Sequence, residues 1–411
     1  MAQPTRKSVI VTFKPKNERP DTTKDKLEIV SAMISSEVRF FDIAKMVPGA
    51  ALPASLPTEM VGYDVNQYEA PIVTASLTDA EIDALKKNAN VVAVEDDGPC
   101  YTLEQGPGQL SASFAIEGQP SPQAETVPTG VAQVKAPAAR DCSRGKAIKV
   151  AVLDAGIDGT HPDLVANYKG GISFVPGESS PMDFNGSGTH LAGTIAAALN
   201  GAGVVGVAPA ASLYAVKVAS ETGSGNWSWL IAGINWSIAN GINILDICVR
   251  GPSAPIALEM MCNTAWTKGL LLVAGAGHSG PAMGTVQFPA KYASVIAVSA
   301  IDSSNLIAGF SSRGPEIELC APGVNVLSAV PGGGYRTMSG SGRACPHVSG
   351  AAALAWGSHR YANNVTIRRL LAWTADNLGI PERDPLYGYG RVDAEQAACE
   401  LAVPPAIPRI P

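Results

Sequence analysis

A chain of 411 residues with 46% hydrophobic and 16% charged residues can bury one large core and a small satellite domain, which excludes an intrinsically disordered chain. A net charge of -6 offers no basic stripe to neutralise phosphates, so no nucleic-acid partner is expected. No segment reaches the ~20 apolar residues of a membrane span, and the opening MAQPTRKSVIVTF lacks the apolar run of a secretory signal. The chain as written is therefore expected in the cytoplasm and off the membrane, with non-classical export left open.

Cys100, Cys142, Cys248, Cys262, Cys320, Cys345 and Cys399 form no CxxC pair. An odd count cannot pair fully within one chain, and reduced thiols are the reading that follows.

Residues 6–97 alternate strand and helix signals. VIVTF (9–13), an amphipathic stretch from Thr23 to Ser35, APIVTASL (70–77) and VVAVED (91–96) predict a small α+β domain. TDAE (78–81) has the spacing of a capping box, with Thr78 and Glu81 bonding reciprocally ahead of Ile82 and Leu85. Residues 98–127 shift to Gly, Pro, Ser and Gln and read as an exposed linker, as 401–411 read as a Pro-rich tail.

Between them, residues 128–400 alternate apolar runs with helix-length segments. IKVAVLD (148–154), LYAVKV (213–218), INILDICV (242–249), LLLVAGA (270–276) and SVIAVSA (294–300) predict a doubly wound α/β domain, its mostly parallel sheet covered by helices on both faces. Ligands in such folds gather at the carboxyl ends of the strands. Asp154 closes the first of these strands, His190 lies in NGSGTHLAGTIAA at the head of a helix, and MSGSGRACPHVSGAAALAW (338–356) opens another. Asp154 and His190 are expected to pair, the carboxylate fixing the imidazole tautomer.

In order and in context, these three segments resemble the Asp, His and Ser blocks of the subtilisin-like serine proteases. GVVGVAPAASLYAVKV (203–218), FPAKYASVIAVSAIDSSN (288–305) and FSSRGPEIELCAPG (310–323) are also similar to family sequence. The resemblance implies that residues 6–97 are an inhibitor and folding-chaperone prodomain, and that the cleft takes a peptide or protein partner, or this prodomain itself.

Anchoring the serine block on Pro346, His347 and Val348 puts Gly342 on the nucleophile and Arg343 on a family methionine. Glycine has no side chain to attack a carbonyl, and loss of such a nucleophile costs about a millionfold in turnover. GAGHSG puts His278 on the family's oxyanion-hole asparagine. Cys248, Val249, Arg250 and Gly251 replace the family's Ser-Leu-Gly-Gly substrate strand, and the bulk of Arg250 is expected to obstruct a passing peptide. Gly225 and Trp227 line the opposite edge. Three departures on separate loops of one cleft predict a pseudo-protease that binds peptide without cutting it.

Two alternatives stay open. One is an active serine endopeptidase whose nucleophile has shifted to Ser341. The other is a remodelled cluster of Asp154, His190, His278 and Cys248, with zinc-type or Cys–His chemistry. No cofactor is expected, save that Asp163 matches a family position that helps hold structural calcium. His161, His347 and His359 are assigned no chemistry.

Overall fold

The computed structural model describes residues 5–14, 18, 60–63, 72–103 and 124–400. The stretch from Thr23 to Ser35 and the tail 401–411 lie outside them.

Among the described residues, the N-terminal part is a four-stranded antiparallel sheet with one helix: β1 (Lys7–Phe13), β2 (Met60–Tyr63), β3 (Ile72–Leu77), α1 (Asp79–Lys86) and β4 (Val91–Asp96), in strand order β2-β3-β1-β4. The capping box forms: Glu81 N donates to Thr78 Oγ1, and Thr78 N donates back to Glu81 Oε2 at 2.8 Å. Alternation decides the two faces. Val9, Val11 and Phe13 pack with Ile82 and Leu85 of α1, whereas Ile10 and Ile72 face the other way and join a core cluster of the large domain.

The chain then gives β5 (Pro99–Thr102), α2 (Thr129–Gln133), α3 (Ala136–Ala139), β6 (Lys149–Asp154), β7 (Tyr168–Ser173), α4 (Ser187–Ala196), β8 (Ser212–Lys217), β9 (Ser224–Asn226) and α5 (Trp227–Ala239). Next come β10 (Ile244–Ile247), β11 (Val249–Arg250), α6 (Ile256–Thr267), β12 (Leu271–Gly275), β13 (Val295–Ile301) and β14 (Ile317–Pro322). The hairpin β15 (Val326–Val330) and β16 (Gly334–Met338) precedes α7 (Ser341–Ser358), α8 (Asn364–Trp373) and α9 (Ala394–Cys399).

Seven strands form one parallel sheet in the order β14-β13-β12-β10-β6-β8-β7. Its residues alternate between two cores. Val150 and Val152 face a cluster with Leu191 and Ile195 of α4 and Val348 and Leu354 of α7, while Ala151 and Leu153 face Leu230 and Ile234 of α5 and Met261 of α6. Helices therefore cover both faces, the doubly wound arrangement read from the sequence.

Two readings need correction. Residues 99–103 are not exposed linker: β5 is a strand, and Cys100, Thr102 and Leu103 are buried. The cysteines are not all reduced, because Cys142 and Cys399 form a disulfide that ties the end of the α3 segment to α9. Spacing could not reveal this pair, since its members lie 257 residues apart. The other five cysteines are free and buried.

Candidate active site

Asp154 ends β6, an interior strand of the large sheet, and the start of α4 lies directly against the turn that follows. A Cβ on Gly188 would come 1.9 Å from Gly156 O, so glycine is what permits this approach. Asp183 holds the helix end: its carboxylate accepts from the backbone N–H groups of Asn185, Gly186 and Thr189 and from the Thr189 hydroxyl, at 2.7–2.8 Å.

The pairing of Asp154 with His190 does not form. Asp154 Oδ1 accepts from Ala155 N at 2.7 Å, and Oδ2 lacks a hydrogen-bond partner. His190 instead directs Nε2 to the carbonyls of Val326 (3.0 Å) and Arg336 (3.2 Å) in the β15–β16 hairpin. The side chain of α4 that bears on Asp154 is Ser187, whose hydroxyl favours the carboxylate without closing a full bond to Oδ2. His190 lies three residues further on, about 4.5 Å along the axis and about 60° around it, which turns its ring to the hairpin. Arg343 fills the neighbouring space, donating from Nη1 to Ser187 O and from Nη2 to Ser187 Oγ, both at 3.1 Å.

Burial dominates the charges here. It pushes the Asp154 carboxyl up to about 8 and lowers His190 to about 4 and Arg343 to about 9.

The second half of the site is a three-stranded antiparallel sheet in the order β11-β5-β9. The chain's own residues 99–102 run between the two outer strands. Tyr101 pairs with both Arg250 and Ser224, Thr102 with Val249 and Cys100 with Gly225. Thr102 N donates to Gly223 O at 2.8 Å and Leu103 N to Cys248 O at 3.0 Å. Gly225 makes room, because a Cβ there would meet Val218 O at 2.2 Å. Trp227 is buried against Gly251 and Gly98.

Arg250 does not obstruct this strand. Its side chain turns aside to Gln287, with Nη1 to Oε1 at 2.9 Å, and leaves its backbone free to pair. Leu103 then reaches the start of α7, where a Cβ on Gly342 would lie 2.8 Å from Leu103 Cβ.

Across residues 145–390 the chain matches the family described as "Subtilase family". The chain belongs to the subtilase family. It is 42% identical to subtilisin E of Bacillus subtilis (strain 168) over 328 residues, 79% of this chain and 80% of that protein. It is similarly 42% identical to an alkaline protease of Shouchella clausii over 335 residues, 81% of each. A subtilisin of Bacillus pumilus is 46% identical over 279 residues, covering 67% of this chain and 100% of that protein.

Within this subtilase, His278 stacks on Phe310 with ring centroids 5.0 Å apart. Ser341 N donates to His278 Nε2 at 3.3 Å, so that nitrogen is the acceptor and a neutral ring carries its proton on Nδ1. Burial, with the Arg250 charge, lowers the imidazole to about 4, and the neutral form prevails. Nδ1 lies 3.5 Å from Ser341 Oγ, which itself accepts from Gly277 N at 3.1 Å. The one imidazole near Ser341 is thus in the wrong tautomer to take its proton.

The remodelled Asp154, His190, His278 and Cys248 cluster is not assembled either. Cys248, at the turn between β10 and β11, points its sulfur towards Asp246 Oδ2 (3.5 Å) and Gly342 O (3.6 Å). Asp163 accepts on both oxygens, from Asn200 Nδ2, Val204 N and the Tyr335 hydroxyl, at 2.8–3.1 Å. His161, His347 and His359 bond backbone atoms.

Ser187, Gln287 and Leu103 were missed in the sequence. Ser187 stands three residues ahead of His190 in the same block, and position on the first helical turn, nearest the strand ends, was the available signal.

Proposed function

We propose that this subtilase is a pseudo-protease, which grips an extended peptide strand in its cleft and does not cut it. The carrying observation is the stack at the head of α7. An extended strand already lies between β9 and β11, its Leu103 rests over Gly342, and the side chain facing Asp154 is Ser187 where hydrolysis needs an imidazole. Main-chain pairing on two edges supplies grip without chemistry, the mode of strand addition. The N-terminal residues act as a retained prodomain whose C-terminal strand is the first occupant, and peptides of similar form compete for its place. The Cys142–Cys399 disulfide favours an oxidising surrounding over the reducing cytoplasm.

Intact mass of the purified chain tests this. A single species carrying residues 1–411 supports the proposal; a cut after Leu103 in material free of other proteases overturns it. The second reading, an endopeptidase using Ser341, draws only on the 3.5 Å approach to His278. Labelling by a serine-reactive fluorophosphonate that disappears in Ser341→Ala selects that reading instead.

A further inference from the structure

Two thiols and a carboxylate meet beneath the head of α7, outside the cleft surface. Asp246 on β10, Cys248 at the end of that strand and Cys345 on α7 each turn one ligand atom to a common point, all within 4.8 Å of one another and all buried. Cys345 Sγ lies 3.1 Å from Asp246 Oδ1, and Cys248 Sγ lies 3.5 Å from Oδ2.

A fourth donor comes from the backbone. Pro346 has no N–H, so in the first turns of α7 the carbonyl of Gly342 loses its helical donor four residues on. That oxygen lies 3.6 Å from Cys248 Sγ. Tetrahedral zinc with sulfur at ~2.3 Å and oxygen at ~2.0 Å needs sulfur–oxygen edges of about 3.5 Å; with Asp246 Oδ1 as the carboxylate ligand, the Cys345 Sγ–Oδ1 separation of 3.1 Å and the Cys248 Sγ–Gly342 O separation of 3.6 Å lie on either side of that value. Ser349 Oγ donates to Asp246 Oδ1 at 2.6 Å and orients the carboxylate from outside, as supporting groups at metal sites do.

We propose that Asp246, Cys248, Cys345 and the Gly342 carbonyl form a buried site for one borderline-soft divalent cation of the zinc class. Binding exchanges the two thiol protons for one divalent ion, so the cluster carries a single negative charge before and after. Loading thus adds no net buried charge, the usual obstacle to an ion in a core. The ion would join the strand end that receives Leu103 to the first turn of α7, and would fix the spacing of the cleft floor. This holds whether or not the cleft cuts peptide. Entry occurs while the chain folds, since the finished site is closed.

The test uses the full chain folded with zinc, desalted, and measured for metal and for the thiolate-to-metal absorption band after folding with cobalt(II). About one zinc per chain and a cobalt–thiolate band are expected, with at least a tenfold loss in Cys345→Ser and none in Cys262→Ser, whose thiol is buried elsewhere on α6. If Cys345→Ser does not fold, the wild-type cobalt spectrum decides alone. A folded wild type without metal or band shows a hydrogen-bonded thiol cluster only and overturns the proposal, as does equal retention in Cys345→Ser.

Discussion

Leu103 occupies the space that any side chain on Gly342 would need: a Cβ there would come 2.8 Å from Leu103 Cβ and 3.3 Å from its Cδ1. The nearest atom is anchored to a paired strand and cannot swing aside. Gly342→Ala should therefore destabilise the protein by about 1–3 kcal/mol, the range for overpacking. Combining it with Leu103→Gly should recover part of that cost, and a double-mutant cycle by denaturant unfolding measures the coupling. Additive effects would mean that the two residues do not touch.

Restoring peptidase activity should require an imidazole beside Asp154. The triple variant Gly342→Ser, His278→Asn, Arg250→Gly rebuilds a nucleophile and an oxyanion donor but leaves Ser187 facing the carboxylate, and should stay inert. Adding Ser187→His with Arg343→Met, which vacates the space beside it, should yield scission after Leu103. The tethered strand makes that bond the most sensitive substrate. Cleavage by the triple variant alone would show that His190 serves after all.

The Asp154 carboxyl, raised by burial from 3.8 to about 8, gives a pH signature. Its contribution is fully present below about pH 4 and fades as pH rises through about 8, because the unfolded chain ionises first. Asp154→Asn should leave stability near pH 4 little changed and improve it at pH 8 by at least about 2 kcal/mol. Thermal unfolding at the two pH values reads this directly. An equal effect at both would place the ionised carboxylate in the folded state.

Reduction of Cys142–Cys399 should lower stability by about 2–5 kcal/mol, since the bond closes a long loop in the unfolded chain. Cys399→Ser should match the reduced protein in denaturant titrations. A reduced wild type that unfolds at the oxidised midpoint would show that α9 is held by packing alone.

The central strands were legible because burial on both faces leaves apolar runs such as VAVLD. Strand β7 was not singled out: YKGGIS carries two glycines and no apolar run, and among the described residues it pairs along one side, with β8. INILDICV read as one strand and is two, because Cys248 turns the chain out of the large sheet before β11 joins β5. At the site, the vacancy at Gly342 follows from sequence register. The direction of His190 does not, since neighbouring positions on one helical turn differ by rotation, which residue order leaves implicit. Leu103 was hidden by its surroundings: a Gly- and Pro-rich composition describes the chain after it and masks a short strand whose partners lie more than a hundred residues away.

The position of β5 also bears on how the molecule behaves in company. With it in place, β9 and β11 each have their main-chain groups satisfied by a tethered neighbour. Withdrawn, it would bare two facing rows of unpaired N–H and C=O groups, the kind of edge that recruits strands from other chains. Segment 99–102 is then a guard against self-association, and a variant that loosens it, such as Tyr101→Pro, should form oligomers before it loses its fold.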